Sequence, residues 1–150
     1  MAKLKINLNA IKRNWNALNK LSNNLTETAA VVKANAYGLG VRKIAPALWE
    51  AGARKFFVST MEEGLELRSF VPTEAKIFCL NGYSLGDNEI IRNFKIIPII
   101  NSFDQLEQFL AFHTNEPIGI NIDIGMNRLG FKENQIEKLK SLLEKLSVTI

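Results

Sequence analysis

Along this 150-residue chain, short apolar runs rich in β-branched residues alternate with stretches of helical periodicity. That alternation restricts the possible folds more than any other feature. The runs at residues 29–33, 56–59, 77–80, 96–100 and 118–123 read as buried strands. Helical patterns lie between them. Ile44, Ala45, Leu48 and Trp49 mark one, with Gly52 as its stop. Thr60 can cap a second, with Glu62 and Glu63 in its first turn, Leu65, Leu67 and Arg68 along it and Pro72 beyond its end. A short helix is expected around residues 89–92, and Ser102 can cap one carrying Phe103, Leu106, Phe109 and Leu110. Ile136, Leu139, Leu142, Leu143 and Leu146 form a strongly amphipathic pattern, and Val148, Thr149 and Ile150 read as the opening of a sixth strand. Pro98 sits inside the fourth run and removes one ladder donor there.

Ahead of this series, Leu4, Ile6 and Leu8 alternate with polar residues, which predicts a short strand. Asn9 can cap a helix with Ile11, Trp15, Leu18 and Leu21 on its apolar stripe, ended by Ser22, Asn23 and Asn24. The overall succession, with a repeat of roughly 20 to 30 residues, predicts parallel strands joined by right-handed crossovers. Two architectures fit: an open doubly wound sheet, and a (β/α)8 TIM-type barrel. Eight barrel units need about 200 to 250 residues, whereas five complete ones are present. On the barrel reading, residues 1–150 are the N-terminal portion of one incomplete α/β domain.

The formal charge is +4, but the basic residues are scattered and interleaved with acidic ones. This describes a solvated surface and not a nucleic-acid stripe. No apolar run approaches the roughly 18 residues of a membrane span. The first residues carry charge but lead into no apolar core, so no signal peptide is expected. Cys79 is the only cysteine, which excludes an internal disulfide and cysteine-rich metal sites. A cytoplasmic protein without a bound metal is the expectation.

Two segments carry chemistry. The first strand ends on Lys33 and passes at once into a small-residue turn with Tyr37, Gly38 and Gly40. A lysine closing a buried strand is either an ordinary one reaching solvent or an amine whose ammonium form is disfavoured by burial, as Schiff-base chemistry requires. The second segment follows the fifth strand: Asn121, Ile122 and Asp123 lead into a loop bounded by Gly125 and Gly130 and containing Arg128. It suits an anion or a polarised oxygen, or else Asp123 and Arg128 pair with each other. It is not a phosphate-binding P-loop, because Phe131 stands where that motif needs lysine.

Residues 31–40, VVKANAYGLG, closely resemble the pyridoxal-phosphate lysine segment of the alanine racemases, commonly Val-Val-Lys-Ala-Asn-Ala-Tyr-Gly. The loop after the fifth strand resembles that family's Lys-x-Asp-Thr-Gly-Met-x-Arg-Leu-Gly. Further likeness lies in the opening Ile6 to Ile11 with Asn14, in Glu63, Leu67 and Arg68, and in Cys79, Leu80, Asn81 and Gly82. The resemblance implies a dimeric pyridoxal-phosphate isomerase that interconverts L- and D-alanine by a two-base mechanism, supplying D-alanine for peptidoglycan. It implies that Lys33 carries pyridoxal 5'-phosphate and serves as one base, Tyr37 contacts the cofactor phosphate, Leu80 lies beside the ring, and Arg128 bonds the phenolic oxygen. Asn121 and Asp123 are supporting residues. In a closed barrel, strands one and five face each other across the mouth, so Lys33 and Arg128 are expected to converge. The second base, a tyrosine of the partner subunit's C-terminal β-domain, and the late phosphate-binding loops are expected beyond residue 150. A related racemase of broader specificity and a non-catalytic pyridoxal-phosphate barrel protein are the alternatives.

Three departures from the family pattern stand out. Asn121 replaces a lysine that is carbamylated in many members, Ile124 replaces threonine, and Leu39 replaces a frequent histidine. Blander readings cover the remainder: His113 as a surface partner of a helix end, Cys79 as a core hydrophobe, Met126 packed under its loop, and Tyr83 and Trp49 as core or rim.

Overall fold

The computed structural model describes residues 3–22, 26–112 and 116–145. Contacts divide the chain into two compact units, Met1–Ile77 and Phe78–Ile150. The first holds α1 (Leu8–Leu21), β1 (Ala30–Val31), a single helical turn of left-handed sense, α2 (Lys33–Tyr37), α3 (Val41–Ala51), β2 (Lys55–Val58) and α4 (Met61–Arg68). β3 (Lys76–Cys79) begins in this unit. The second holds α5 (Asn88–Phe94), β4 (Ile96–Ile100), α6 (Phe103–Leu110), β5 (Gly119–Ile120) and α7 (Ile136–Lys145), with 3-10 turns at Leu85–Asp87 and Glu133–Gln135.

The sheet order follows the chain, β1-β2-β3-β4-β5. β1 pairs parallel to β2, Ala30 with Phe56 and Val31 with Phe57; β4 pairs parallel to β5, Ile99 with Gly119 and Ile100 with Ile120. The chain is therefore α/β with a parallel sheet, as the βα rhythm predicts. These runs are almost continuously apolar, yet burial alternates along them: one face of β2 to β4 is buried and the other half-buried or exposed. Phe56, Val58, Ile77, Ile96, Pro98 and Ile100 are all essentially inaccessible. Pro98 is tolerated within β4, whose pairing with β5 begins only at Ile99. Trp15, Trp49, Tyr83 and Cys79 take the core or rim positions expected of them; Trp49 carries the Arg54 guanidinium over its ring at 4.1 Å.

The helix caps are local chemistry. The Oγ1 of Thr60 accepts the N–H of Glu63, and the Oγ of Ser102 accepts that of Gln105. α3 buries Val41, Ile44, Ala45, Ala47 and Leu48 and packs against α1. It ends at Gly52, with φ of +117°, where a Cβ would stand 3.3 Å from the Trp15 ring. Glycine is needed there for both conformation and space.

The N-terminus departs from expectation. Leu4, Ile6 and Leu8 do not form a strand: α1 begins at Leu8, capped by Asn7, whose Oδ1 accepts the N–H of Ala10, and not by Asn9. Alternation favours a strand only where a neighbour supplies a ladder, and Leu4 is 76% exposed. The apolar stripe of α1 is also narrower than predicted. Trp15 is buried, but Leu18 and Leu21 face solvent. His113, Asn23, Asn24, Leu146 and the sixth strand expected at residues 148–150 lie outside the described residues. Among the described residues no helix is long and apolar enough to cross a membrane, and no cluster of acidic, histidine and cysteine side chains could hold a metal ion.

Candidate active site

Lys33 follows the C-terminal end of β1, where the N–H of Val32 donates to the carbonyl of Phe57 on β2. The lysine side chain is half-buried. Among the described residues its Nζ has no hydrogen-bond or ion-pair partner. The backbone then turns left-handed. Ala34, Asn35 and Ala36 have φ of 51–53° and ψ of 48–50°, and Tyr37 has φ of 55°. A left-handed turn costs roughly 1–2 kcal/mol per non-glycine residue, so the three alanine and asparagine positions cost on the order of 3–6 kcal/mol. Closing hydrogen bonds offset this. The N–H of Ala36 donates to Val32 O (2.8 Å), that of Gly38 to Ala34 O (2.9 Å) and that of Gly40 to Asn35 O (2.9 Å). The Asn35 side chain accepts the N–H of Val41 at 2.8 Å, joining the turn to the start of α3. Tyr37 projects from this turn, 63% exposed. Glu63 of α4 completes it: one carboxylate oxygen accepts the N–H of Ala34 at 2.8 Å, the other that of Ser59 at 2.7 Å.

In the second unit, side-chain amides tie the strand ends together. Asn101, directly after β4, is the one buried polar side chain among the described residues. Its Nδ2 donates to the carbonyls of Leu80 (2.9 Å) and Ile99 (2.8 Å), and its Oδ1 accepts from Asn121 Nδ2 at 2.8 Å. Gln105 of α6 accepts the N–H of Asn101 and donates to Asn81 O. Gly82 makes room for it, since a Cβ there would fall 2.2 Å from the Gln105 oxygen. Asn121 is thus held by its amide nitrogen, and its carbonyl oxygen is the acceptor left to act on a neighbour.

The loop after β5 closes on itself. The N–H of Phe131 donates to Asn121 O (2.8 Å) and that of Asp123 to Phe131 O (2.9 Å). At Gly130, with φ of +105°, a Cβ would lie 2.9 Å from the Asn121 carbonyl oxygen. Asp123 does not pair with Arg128. Its Oδ1 accepts the N–H groups of Gly125 and Asn127, each at 3.0 Å. Arg128 is exposed, with no hydrogen-bond or ion-pair partner among the described residues. Met126 does not pack under the loop; it is 75% exposed. Its apolar neighbours in the loop, Ile124 and Leu129, are exposed as well and offer it no buried surface.

The bonds from Asn127 and Gly125 hold the Asp123 carboxyl below its usual range. A lowered folded-state pKa means that the contribution is complete above the ordinary carboxylate value of about 3.9 and is lost as pH falls through the lowered one. The Gly125 and Asn127 amides should therefore remain protected from hydrogen exchange at neutral pH and open in acid. Since one oxygen receives both bonds, Asp123→Asn should keep the protection and abolish its acid sensitivity. An unchanged acid transition in D123N would show that another group governs this loop.

A sequence model of the family described as "Alanine racemase, N-terminal domain" matches residues 6–150. The chain belongs to the alanine racemase family. It is 43% identical over 136 residues to an alanine racemase of Cereibacter sphaeroides, covering 91% of this chain and 39% of that one. It is 44% identical over 131 residues to that of a Ruegeria species, covering 87% and 37%. Among solved structures it is similar to alanine racemase from Bartonella henselae with covalently bound pyridoxal phosphate, at 38% identity and a TM-score of 0.85 over 95% of this chain and 43% of that one. Alanine racemase from Pseudomonas aeruginosa superposes with a TM-score of 0.81 at 30% identity, over 94% and 40%. The chain thus spans about two fifths of the length of these relatives, and its fold is that of the N-terminal portion of their barrel domain.

Asn101 and the bridging role of Glu63 were not singled out from the sequence of this family member. Asn101 left one signal, a polar residue closing the all-apolar run 96–100. Glu63 read only as favourable charge in a helix's first turn, because its partner Ala34 is 29 residues away.

Proposed function

We propose that the full-length protein is a pyridoxal-phosphate-dependent racemase interconverting L- and D-alanine, with Lys33 as the cofactor lysine. The observation that carries this is a half-buried amine, without a hydrogen-bond or ion-pair partner among the described residues, that follows a parallel strand and is presented by a closed left-handed turn. The residues present suit the group: an amine at Lys33 and a guanidinium at Arg128, both without a polar partner among the described residues, for the aldehyde and the phenolic oxygen, a phenol at Tyr37 for the phosphate, and an apolar half-buried Leu80 for the ring. When bound, pyridoxal phosphate supplies the electron sink that acidifies the substrate Cα–H.

With the cofactor bound, the Lys33 amine would be the group that takes or returns the Cα proton on one face. Racemisation needs a base on each face, and the family likeness assigns the second to a tyrosine of the partner subunit's β-domain. Lys33 follows the C-terminal end of β1 and Arg128 lies in the loop after β5, the kind of position where a barrel carries its chemistry; the family likeness assigns both to the cofactor. Asn121, held by Asn101, offers a neutral side-chain acceptor where many family members have a carbamylated lysine, for the Arg128 guanidinium or beside a small anion site. Residues 1–150 are the N-terminal part of the cofactor-binding barrel domain and on their own do not racemise alanine. The full-length enzyme is a cytoplasmic homodimer providing D-alanine for peptidoglycan.

Borohydride reduction of the cofactor-loaded, full-length protein followed by peptide mass mapping tests the assignment. The reduced cofactor is expected on the peptide containing Lys33. Its recovery on any other lysine overturns the reading.

A further inference from the structure

We propose that Glu63 is the positioning residue of the lysine turn: by accepting the backbone N–H groups of Ala34 and Ser59 it sets the direction in which Lys33 leaves its strand. The inference rests on Lys33 as the cofactor lysine.

Glu63 occupies the third position of α4, three residues after the N-cap Thr60. In an ordinary capping box, a glutamate there reaches back to the N–H of its own N-cap residue. Here both carboxylate oxygens reach past it. One takes Ser59, at the end of β2, and the other takes Ala34, 29 residues away in sequence. Capping α4 does not need that second bond. The left-handed turn does need it. Its intrahelical bonding begins with the N–H of Ala36 on Val32 O, so the N–H of Ala34 is one of the donors that a helix start leaves without an internal partner. That N–H belongs to the peptide unit joining Lys33 to Ala34, so fixing it fixes the lysine's backbone. Two donors converging on one side chain require two acceptors. A carboxylate has them, whereas a glutamine amide offers one acceptor and turns an NH2 group towards the other N–H.

The test uses the full-length holoenzyme as wild type, Glu63→Ala, Glu63→Gln and Thr60→Ala. The last weakens α4 through its cap while leaving the glutamate in place. Cofactor release is followed by the decay of visible absorbance on dilution, and hydrogen exchange is read at the Ala34 amide. E63A, which removes both bonds, is expected to release cofactor at least about tenfold faster than wild type and to expose the Ala34 amide; E63Q, which leaves one of the two N–H groups facing an NH2 group, is expected to release it about tenfold faster. T60A should stay within about threefold of wild type and keep the Ala34 amide protected. Because E63Q conserves size, it keeps the test usable if E63A folds poorly. Equal acceleration by T60A, or wild-type release from E63Q, overturns the proposal. Failure of the underlying reading looks different: the reduced cofactor then maps to another lysine, whatever the Ala34 amide does.

Discussion

Lys33→Ala in the full-length protein should lower racemase turnover by at least about 10³-fold, since on the proposed function it removes a base and the cofactor's covalent anchor together. Visible absorbance of the bound cofactor should disappear with it. The protein should nevertheless fold. The lysine side chain is half-buried and, among the described residues, makes no hydrogen bond or ion pair that the fold depends on. The left-handed turn is closed by backbone groups, Asn35 and Glu63. Thermal unfolding of the cofactor-free variant should therefore match that of the cofactor-free wild type. Absorbance that persists in K33A would move the anchor to another residue. A collapse of thermal stability would mean that the turn depends on the lysine itself.

The second large effect is on stability. Phe131→Ala should destabilise the cofactor-free protein by about 3–5 kcal/mol, the range for truncating a fully buried aromatic. Phe131 is inaccessible to solvent and meets Phe103 edge-on, with ring centroids 5.0 Å apart. Its backbone also carries the two bonds that close residues 121–131 onto themselves. Loosening the side chain should therefore release the loop that presents Arg128. Against a total stability of about 5–15 kcal/mol, this loss is large. Chemical denaturation measures it, and a change below about 1 kcal/mol would show that the ring does not anchor the loop.

Much of the fold could be read in order along the chain. β2 to β4 fall within about a residue of the predicted runs, because a short run of β-branched and aromatic residues between helical patterns is itself a local strand signal. Thr60, Ser102 and Gly52 announce helix ends, because capping involves neighbours within a few residues. The N-terminal strand failed for the opposite reason. Alternation at Leu4, Ile6 and Leu8 is a local pattern, and a strand also needs a partner that the local pattern cannot report.

The site divides along the same line. Lys33, Tyr37, Leu80, Asn121, Asp123 and Arg128 stood out as residue types at strand ends and in a distinctive wording. How Lys33 and Asn121 are held did not. Alanine is the best right-handed helix former, so nothing in Ala34, Asn35 and Ala36 taken alone suggests a left-handed turn. Asn101 and Glu63 likewise resemble many other polar residues near helix starts. The sequence by itself determined the parallel α/β order and the family, and it singled out the residues proposed for the site. Only the tertiary structure decided the hand of the lysine turn, the two acceptors that Glu63 gives it, and the amide pair of Asn101 and Asn121. The Glu63 bond to Ala34 and the Asn101–Asn121 pair join groups 29 and 20 residues apart, and their energy exists only once the strands have brought them together.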